Sequence, residues 1–428
     1  MFWLFYNLLF PIVFICMLPK FISRMLKRGG YRQHFEQRIG HFGHHTKARL
    51  REHRRIWVHA VSVGEIYVAL RFIKAYRQKH PDTFFALSTT TSTAHAIGGK
   101  ELDERDVLFY FPVDLPVIVR KVLRIINPVQ IVLVESEFWP NLIRLADKQG
   151  IPISLINGRM SLSSYRGYRK LRALIADVLR RIHPICVQGE LDAERIIDIG
   201  APADQVHIMG TVKFDVAEPN PEGAFAAKAV LRELQVQENA LILLGGSTWP
   251  GEEAVLLDLY LRLREHYPAL FLVLVPRHME RSAEVIELLH SKNVSFARRS
   301  AMNEFNAVSA PDVLLIDSTG ELRNFYSQAD IVFVGKSLFD HGGQNPIEPA
   351  MEGKAVIVGP NMENFPAVMT ELLKHEAILQ VTSEIELETT IERLIQNDAE
   401  RAELGRKAAQ VVEKNRGVIE RTIALFEK

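Results

Sequence analysis

After residue 55 the chain alternates short apolar runs with longer amphipathic stretches. IWVHAVSV (56–63) has strand length, and GEIYVALRFIKAYRQKH after it carries apolar positions at helical spacing. TFFALSTTT, VLFYFPVD, IVLVESE, ISLINGR and HPICVQG repeat the pattern with helical segments between them. Apolar strands separated by helices predict a parallel sheet covered on both faces. At KFDVAEPNPEG the rhythm breaks, and its two prolines and glycine predict a linker over 215–222. The alternation then restarts with ALILLGG (240–246), LFLVLVPR (270–277), VLLIDST (313–319), IVFVGK (331–336) and AVIVG (355–359). The last thirty residues read as helices, expected to finish the second domain or to pack back on the first.

The pattern therefore predicts an α/β protein with two doubly wound, Rossmann-like domains, 56–214 and 223–428, facing a cleft. Ligands of such sheets sit beyond the carboxyl ends of the strands. The candidate residues collect there: His59–Glu65, Glu135–Glu137, Asn157–Arg159, Gly245–Thr248, Arg277–His278, Asp317–Glu321 and Lys336–Glu348.

Residues 1–19, MFWLFYNLLFPIVFICMLP, carry no charge. A spanning helix needs roughly 20 apolar residues, so the segment is just long enough, and Asn7 and Pro11 weaken it. It is expected to be a membrane anchor; the alternative is a helix lying in the interface, buried on one face. No cationic region precedes it, which argues against a signal peptide. Basic residues follow it, starting with Lys20, Arg24, Lys27 and Arg28, so the remainder is expected on the cytoplasmic side.

Composition sharpens this picture at one place. The formal net charge is +1 over 428 residues, which gives nucleic-acid binding no support. Yet residues 20–55 hold eleven Lys/Arg against two acids, a basic membrane-proximal segment suited to anionic head groups or to a phosphorylated lipid substrate. Cys16 and Cys186 lie in unrelated apolar segments, so neither a disulfide nor a zinc site is expected.

Glu65, in Ser62-Val63-Gly64-Glu65, opens a helix directly after a strand. It reads either as a complement to the helix dipole or as a general base facing the cleft. Glu135 and Glu137 flank Ser136 at the end of an apolar strand; residues two apart share a strand face, so both carboxylates are expected in one region. Trp139 reads as packing. Arg159, Arg166 and Arg169 form either a solvated face or a contact for an acidic substrate. Gly245-Gly246-Ser247-Thr248 is expected to admit a ligand, with Ser or Thr capping the next helix. Asp317–Glu321 and Asp340–Pro349 share that layout, and Gly342, Gly343, Gln344, Asn345 and Glu348 suit a ribose diol and phosphate. His341 reads as a hydrogen-bonding group. Asp-x-Asp, Walker A, Gly-x-Gly-x-x-Gly and Gly-x-Ser-x-Gly motifs are all missing, against metal-dependent sugar-nucleotide, kinase, dehydrogenase and hydrolase chemistry.

Taken in order, SVGE, FPVDLP, VESEFWPNL, NGRMSLSSY, MGTVKFD, GGSTWPGEE, PRHMER, DSTGEL, HGGQNPIEPA and GPNMENF resemble the 3-deoxy-D-manno-octulosonic acid (Kdo) transferases, a lipid A-modifying glycosyltransferase family. The resemblance implies a GT-B fold, and an inverting, metal-independent transfer of Kdo from CMP-Kdo to the primary hydroxyl of a lipid A precursor, lipid IVA. It implies no cofactor, and a place on the cytoplasmic face of the bacterial inner membrane. On the family pattern Glu65 is the catalytic base, and Glu135 and Lys213 assist the transition state. The CMP contacts map to Pro276, Arg277, Thr319, Gly320, Glu321, Asn345, Pro346, Ile347 and Glu348. Three positions depart from the pattern: Trp249 and Gln344 stand where His is usual, and Thr319 where Met is. The alternative is another GT-B transferase using a UDP-sugar on a lipid acceptor.

Overall fold

The computed structural model describes residues 3, 6–12, 16, 34–216, 219–304 and 311–427. The chain forms two compact units, Met1–Val212 with Gly417–Lys428, and Lys213–Arg416.

The first unit holds seven strands: β1 (Ile56–Ala60), β2 (Phe85–Thr89), β3 (Val107–Tyr110), β4 (Gln130–Val134), β5 (Ile153–Gly158), β6 (Ile185–Val187) and β7 (Val206–Ile208). Their order is β3-β2-β1-β4-β5-β6-β7, all parallel. Every residue of β1 and β2 is buried, which is why these strands read as continuous apolar runs. The strand order reverses between β1 and β4, so the crevice expected of such a sheet opens beyond Ala60 and Val134.

The second unit repeats the plan with β8 (Leu241–Thr248), β9 (Leu270–Pro276), β10 (Phe296–Arg298), β11 (Val313–Leu315), β12 (Ile331–Val334), β13 (Ala355–Val358) and β14 (Leu379–Gln380). The order is β10-β11-β9-β8-β12-β13-β14, with its reversal at β8 and β12. Close approach at this reversal requires Gly335: a Cβ there would meet Ser247 O at 2.4 Å and Thr248 Cα at 2.6 Å.

β7, β10 and β14 were not among the expected strands. Each is an edge of two or three residues with one partner and some exposed positions, so it carries no apolar run. The boundary also shifts. The first unit ends at Val212, Lys213–Val216 is a helical turn whose Phe214 lies in the second core, and Pro221 opens the helix Pro221–Glu233. Residues 215, 216, 221 and 222 of the predicted linker thus lie in helices; Asn220 caps the new helix by accepting from Gly223 N. The last helix, Val418–Phe426, belongs to the first unit, where Phe426 packs on Phe72 of the helix Val63–Lys79.

Among the described residues no helix is long and apolar enough to cross a membrane. Residues 20–33 of the basic segment lie outside the described residues, as does part of 1–19. Residues 6–12 are helical, and their polar groups are turned onto the first unit. Tyr6 Oη donates to Asp114 Oδ2 (2.9 Å), Asn141 Nδ2 donates to Asn7 Oδ1 (2.8 Å), and Trp3 Nε1 donates to Asp177 (2.8 Å). Leu8, Leu9 and Ile12 are exposed.

Several arginines of the basic segment are structural. Arg55 is buried and donates to the carbonyls of Phe85, Arg105 and Arg49. Arg49 donates to the carbonyls of Glu104 and Asp106, and Arg38 donates to Thr90 O and covers the Tyr110 ring. These three guanidiniums close the ends of strands, so the charge excess available to a lipid is smaller than the sequence count. Cys186 is buried in β6 and Cys16 is exposed; both are free.

Candidate functional site

In the first unit, β1 ends at Ala60 and the chain turns at once into the helix Val63–Lys79. Ser62 caps it: Ser62 Oγ accepts from Glu65 N (3.3 Å), and Glu65 Oε1 accepts from Ser62 N (3.2 Å). Glu65 Oε2 accepts from Val61 N (2.8 Å). Both readings of Glu65 meet here. It completes a capping box, and the same bonds fix a buried carboxylate at the sheet's reversal point. Each oxygen keeps a lone pair beyond these bonds. Gly64 is not demanded by packing, since a Cβ there would meet only Ser62 Oγ at 3.9 Å.

β4 delivers the next two carboxyls. The strand stops at Val134, and Glu135 takes a left-handed φ of 62°, so the expected alternation along a strand does not operate. The turn still brings Glu135 and Glu137 into electrostatic contact. Burial, then the charges of Glu65 and Glu135, push the Glu137 carboxyl up to about 8. Glu137 therefore holds its proton at neutral pH. Trp139 is packing, as expected: its ring lies 4.9 Å from Phe111, and its Nε1 donates to His59 Nε2 at 3.1 Å.

His59 is wholly buried, and burial drives its pKa down to about 3. With Nε2 accepting, Nδ1 is the protonated nitrogen and faces Ser88 Oγ at 2.9 Å. This neutral imidazole orders the wall behind the carboxyls. Asp114, unremarked in the sequence, is also buried; it accepts from Asn141 N and Leu142 N (2.9 Å each), capping the helix Pro140–Asp147 that follows Trp139. Asp114 stands far ahead in the chain of the helix it caps, so nothing local in the sequence marks the role. Arg169 faces Asp198 at 3.8 Å and Arg166 is exposed, in keeping with a solvated face.

In the second unit the helix Glu252–His266 is capped by Gly251, without a side-chain cap. The expected Ser or Thr cap is absent because Thr248 Oγ1 donates instead to Glu253 (2.8 Å). Glu252 is buried and accepts four backbone N–H bonds: Trp249 (2.8 Å), Lys336 (2.8 Å), Ser337 (3.0 Å) and Leu338 (3.1 Å). One carboxylate thus fastens the turn after β8 to the turn after β12.

The predicted nucleotide residues fall in two groups. Pro276 ends β9, and Arg277 donates its N–H to Thr248 O. Arg277, His278, Met279, Glu280 and Thr319 line a cavity of about 400 Å³. Beside Thr319, Gly320 has φ 86° with open space where a Cβ would stand, and Glu321 is held by Ser318 Oγ (2.6 Å) and Arg299 (2.7 Å). Asp317 is occupied structurally by Arg298 and Ser300.

The other group follows β12. Asn345 Nδ2 donates to Glu348 (3.2 Å), and Asn345 Oδ1 accepts from Ile347 N. Burial raises the Glu348 pKa. Pro346 and Ile347 are buried, and Ile347 belongs to the core, so its side chain offers a ligand nothing. Gly343 has φ 66°, and a Cβ there would meet Met362 Sδ at 2.3 Å, so glycine is favoured at this position. His341 Nδ1 pairs with Glu363 (2.7 Å). Lys213, which the sequence puts in the first domain, belongs to the second unit, where Nζ donates to Asn364 O (2.5 Å) and lies 4.2 Å above the Phe365 ring. Among the described residues no three His, Cys, Asp or Glu side chains gather as a metal site.

Residues 33–216 match the model of the family described as 3-deoxy-D-manno-octulosonic-acid transferase (kdotransferase). The 3-deoxy-D-manno-octulosonic acid transferase of Haemophilus influenzae is 32% identical over 94% of this chain and 92% of its own length. The enzyme of the same name from Bordetella pertussis is 32% identical over 76% of both. Among solved structures, Anabaena Alr3699/HepE in complex with UDP superposes with a TM-score of 0.58 at 14% identity, covering 86% of this chain and 98% of that one. A glycosyltransferase from Rickettsia africae gives 0.57 at 12% identity, covering 87% and 98%. These structural likenesses carry the fold alone, which is GT-B-like with two parallel sheets.

Proposed function

The chain belongs to the 3-deoxy-D-manno-octulosonic acid transferase family and is a glycosyltransferase, and from that premise we propose that it transfers Kdo from CMP-Kdo to the primary hydroxyl of a lipid A precursor, with inversion and without a metal. The observation that carries the reading is the Glu65 carboxylate, buried and held by two backbone N–H groups at the reversal point of the first sheet. A fixed acceptor-only group with spare lone pairs suits removal of a proton from an attacking hydroxyl. The oxygen of that hydroxyl forms the new bond to the anomeric carbon as the bond to the CMP phosphate breaks, and the proton goes to Glu65. Glu137, which keeps its own proton at neutral pH, lowers the negative charge around that base.

The second unit is assigned the donor. Arg277 and Thr319 line the 400 Å³ cavity, Gly320 follows Thr319, and Asn345 and Glu348 offer an amide and a carboxyl to a ribose diol. Arg277 and Lys213 offset charge on the departing phosphate, and preorganised charge of this kind lowers a barrier by about 3 kcal/mol.

In this reading the enzyme works at the cytoplasmic face of the bacterial inner membrane, held there by its N-terminal segment. Exposed Leu8, Leu9 and Ile12 beside the basic run support that placement. Thermal unfolding tests the donor: CMP is expected to raise the melting temperature and UDP to leave it unchanged. Protection by UDP and not by CMP would replace the donor with a UDP-sugar.

A further inference from the structure

The strand order β9-β8-β12 sets three side chains in a row beyond the strand ends: His278 after β9, Trp249 after β8 and Lys336 after β12. The His278 and Trp249 rings meet edge to face with centroids 5.6 Å apart. On the other side, Lys336 Nζ lies 4.3 Å from the centre of the Trp249 ring. His278 also lines the 400 Å³ cavity with Arg277 and Thr319, so the row borders the space assigned to the donor.

Lys336 is placed at a cost. Its backbone has φ 58°, a left-handed conformation that glycine takes freely and lysine does not. A half-exposed cation–π contact returns about as little as that backbone costs, so the pair does not justify itself as a stabilising device. Its ammonium forms no ion pair among the described residues. Trp249 Nε1 is buried and has no hydrogen-bond acceptor, which costs free energy until a ligand or water supplies one.

Four backbone N–H groups of the two turns are already committed to a carboxylate of the protein. In glycine-rich phosphate sites, successive N–H groups point at the ligand. Here the N–H groups of Trp249, Lys336, Ser337 and Leu338 all point at Glu252. The positive charge left at the reversal point is the Lys336 side chain, held in place by the indole. We infer that Lys336, clamped on Trp249, is a binding residue for an anionic group of the donor, its phosphate or its sugar carboxylate. This rests on the CMP-Kdo reading above and assigns a group that the nucleotide contacts there do not include.

The test compares Lys336→Gly and Lys336→Gln with wild type, by calorimetry with CMP and with cytidine, and by the KM for CMP-Kdo. Glycine accepts φ 58° without strain, and glutamine keeps most of the length without the charge, so one variant controls for the other. If Lys336 meets the phosphate, CMP binding weakens about ten- to hundredfold, as for a lost charged hydrogen bond, and cytidine binding is unchanged. If it meets the carboxylate, CMP binding holds and the KM for CMP-Kdo rises by a similar factor. Unchanged CMP affinity together with an unchanged KM overturns the inference, as does an equal loss for cytidine and CMP, which would mark a change of loop shape. Failure of the wild type to bind CMP would overturn the donor reading instead.

Discussion

The carboxyl of Glu137 feels the charge of Glu65 although the two follow different strands. With burial as the larger cause, that neighbour helps hold Glu137 protonated up to about pH 8. The sign of the stability effect follows. In the native state Glu137 binds its proton more tightly than the ordinary 4.5 of an unfolded glutamate. Its contribution is full below about pH 4.5 and is lost as pH rises towards about 8. Glu137→Gln is therefore expected to flatten the fall in melting temperature across that window. A parallel fall in both proteins would show that Glu137 is ionised in the native state.

Glu65→Gln is expected to cut turnover about 100-fold or more, the usual scale of a lost general base, while donor affinity holds. Glutamine still accepts one of the two N–H bonds but brings N–H donors of its own against Val61 N or Ser62 N, so a melting curve must accompany the rate. Full turnover in the variant would remove Glu65 from the base role.

Glu252 should be the most sensitive carboxylate of the second unit. Glu252→Ala leaves four N–H groups without their acceptor, two of them in a fully buried turn. A loss of about 3 kcal/mol or more in unfolding free energy is expected from denaturant titration. A change under about 1 kcal/mol would mean that water replaces the carboxylate in that turn.

The N-terminal segment makes a separate prediction. Tyr6 and Asn7 tie it to Asp114 and Asn141, leaving Leu8, Leu9 and Ile12 outward. Substituting Leu8 and Leu9 together by Asp should release the protein from the membrane fraction with little change in melting temperature. Retention on the membrane would assign the anchoring to other residues.

The sheets were legible because strands buried on both faces read as apolar runs, β1, β8 and β9 most clearly. The edges β7, β10 and β14 were not, since two or three residues with one neighbour leave no pattern. Glu65, Glu135 and Glu137 were legible by their place after strands, but their mutual contact depends on the left-handed turn at Glu135, which Glu does not advertise. The basic run read as one electrostatic feature, whereas Arg38, Arg49 and Arg55 are spent on backbone carbonyls, a use invisible to a charge count. Asp114 and Glu252 are not legible because a carboxylate that receives backbone N–H groups looks, in a sequence, like any other acid.

The most direct test of the proposed transfer is product mass. The purified, detergent-solubilised protein would be incubated with a tetraacylated lipid A precursor and freshly generated CMP-Kdo, with chelator present. The expected product is an acceptor heavier by one or more Kdo units. No mass gain, in a mixture where a control transferase is active, would contradict it.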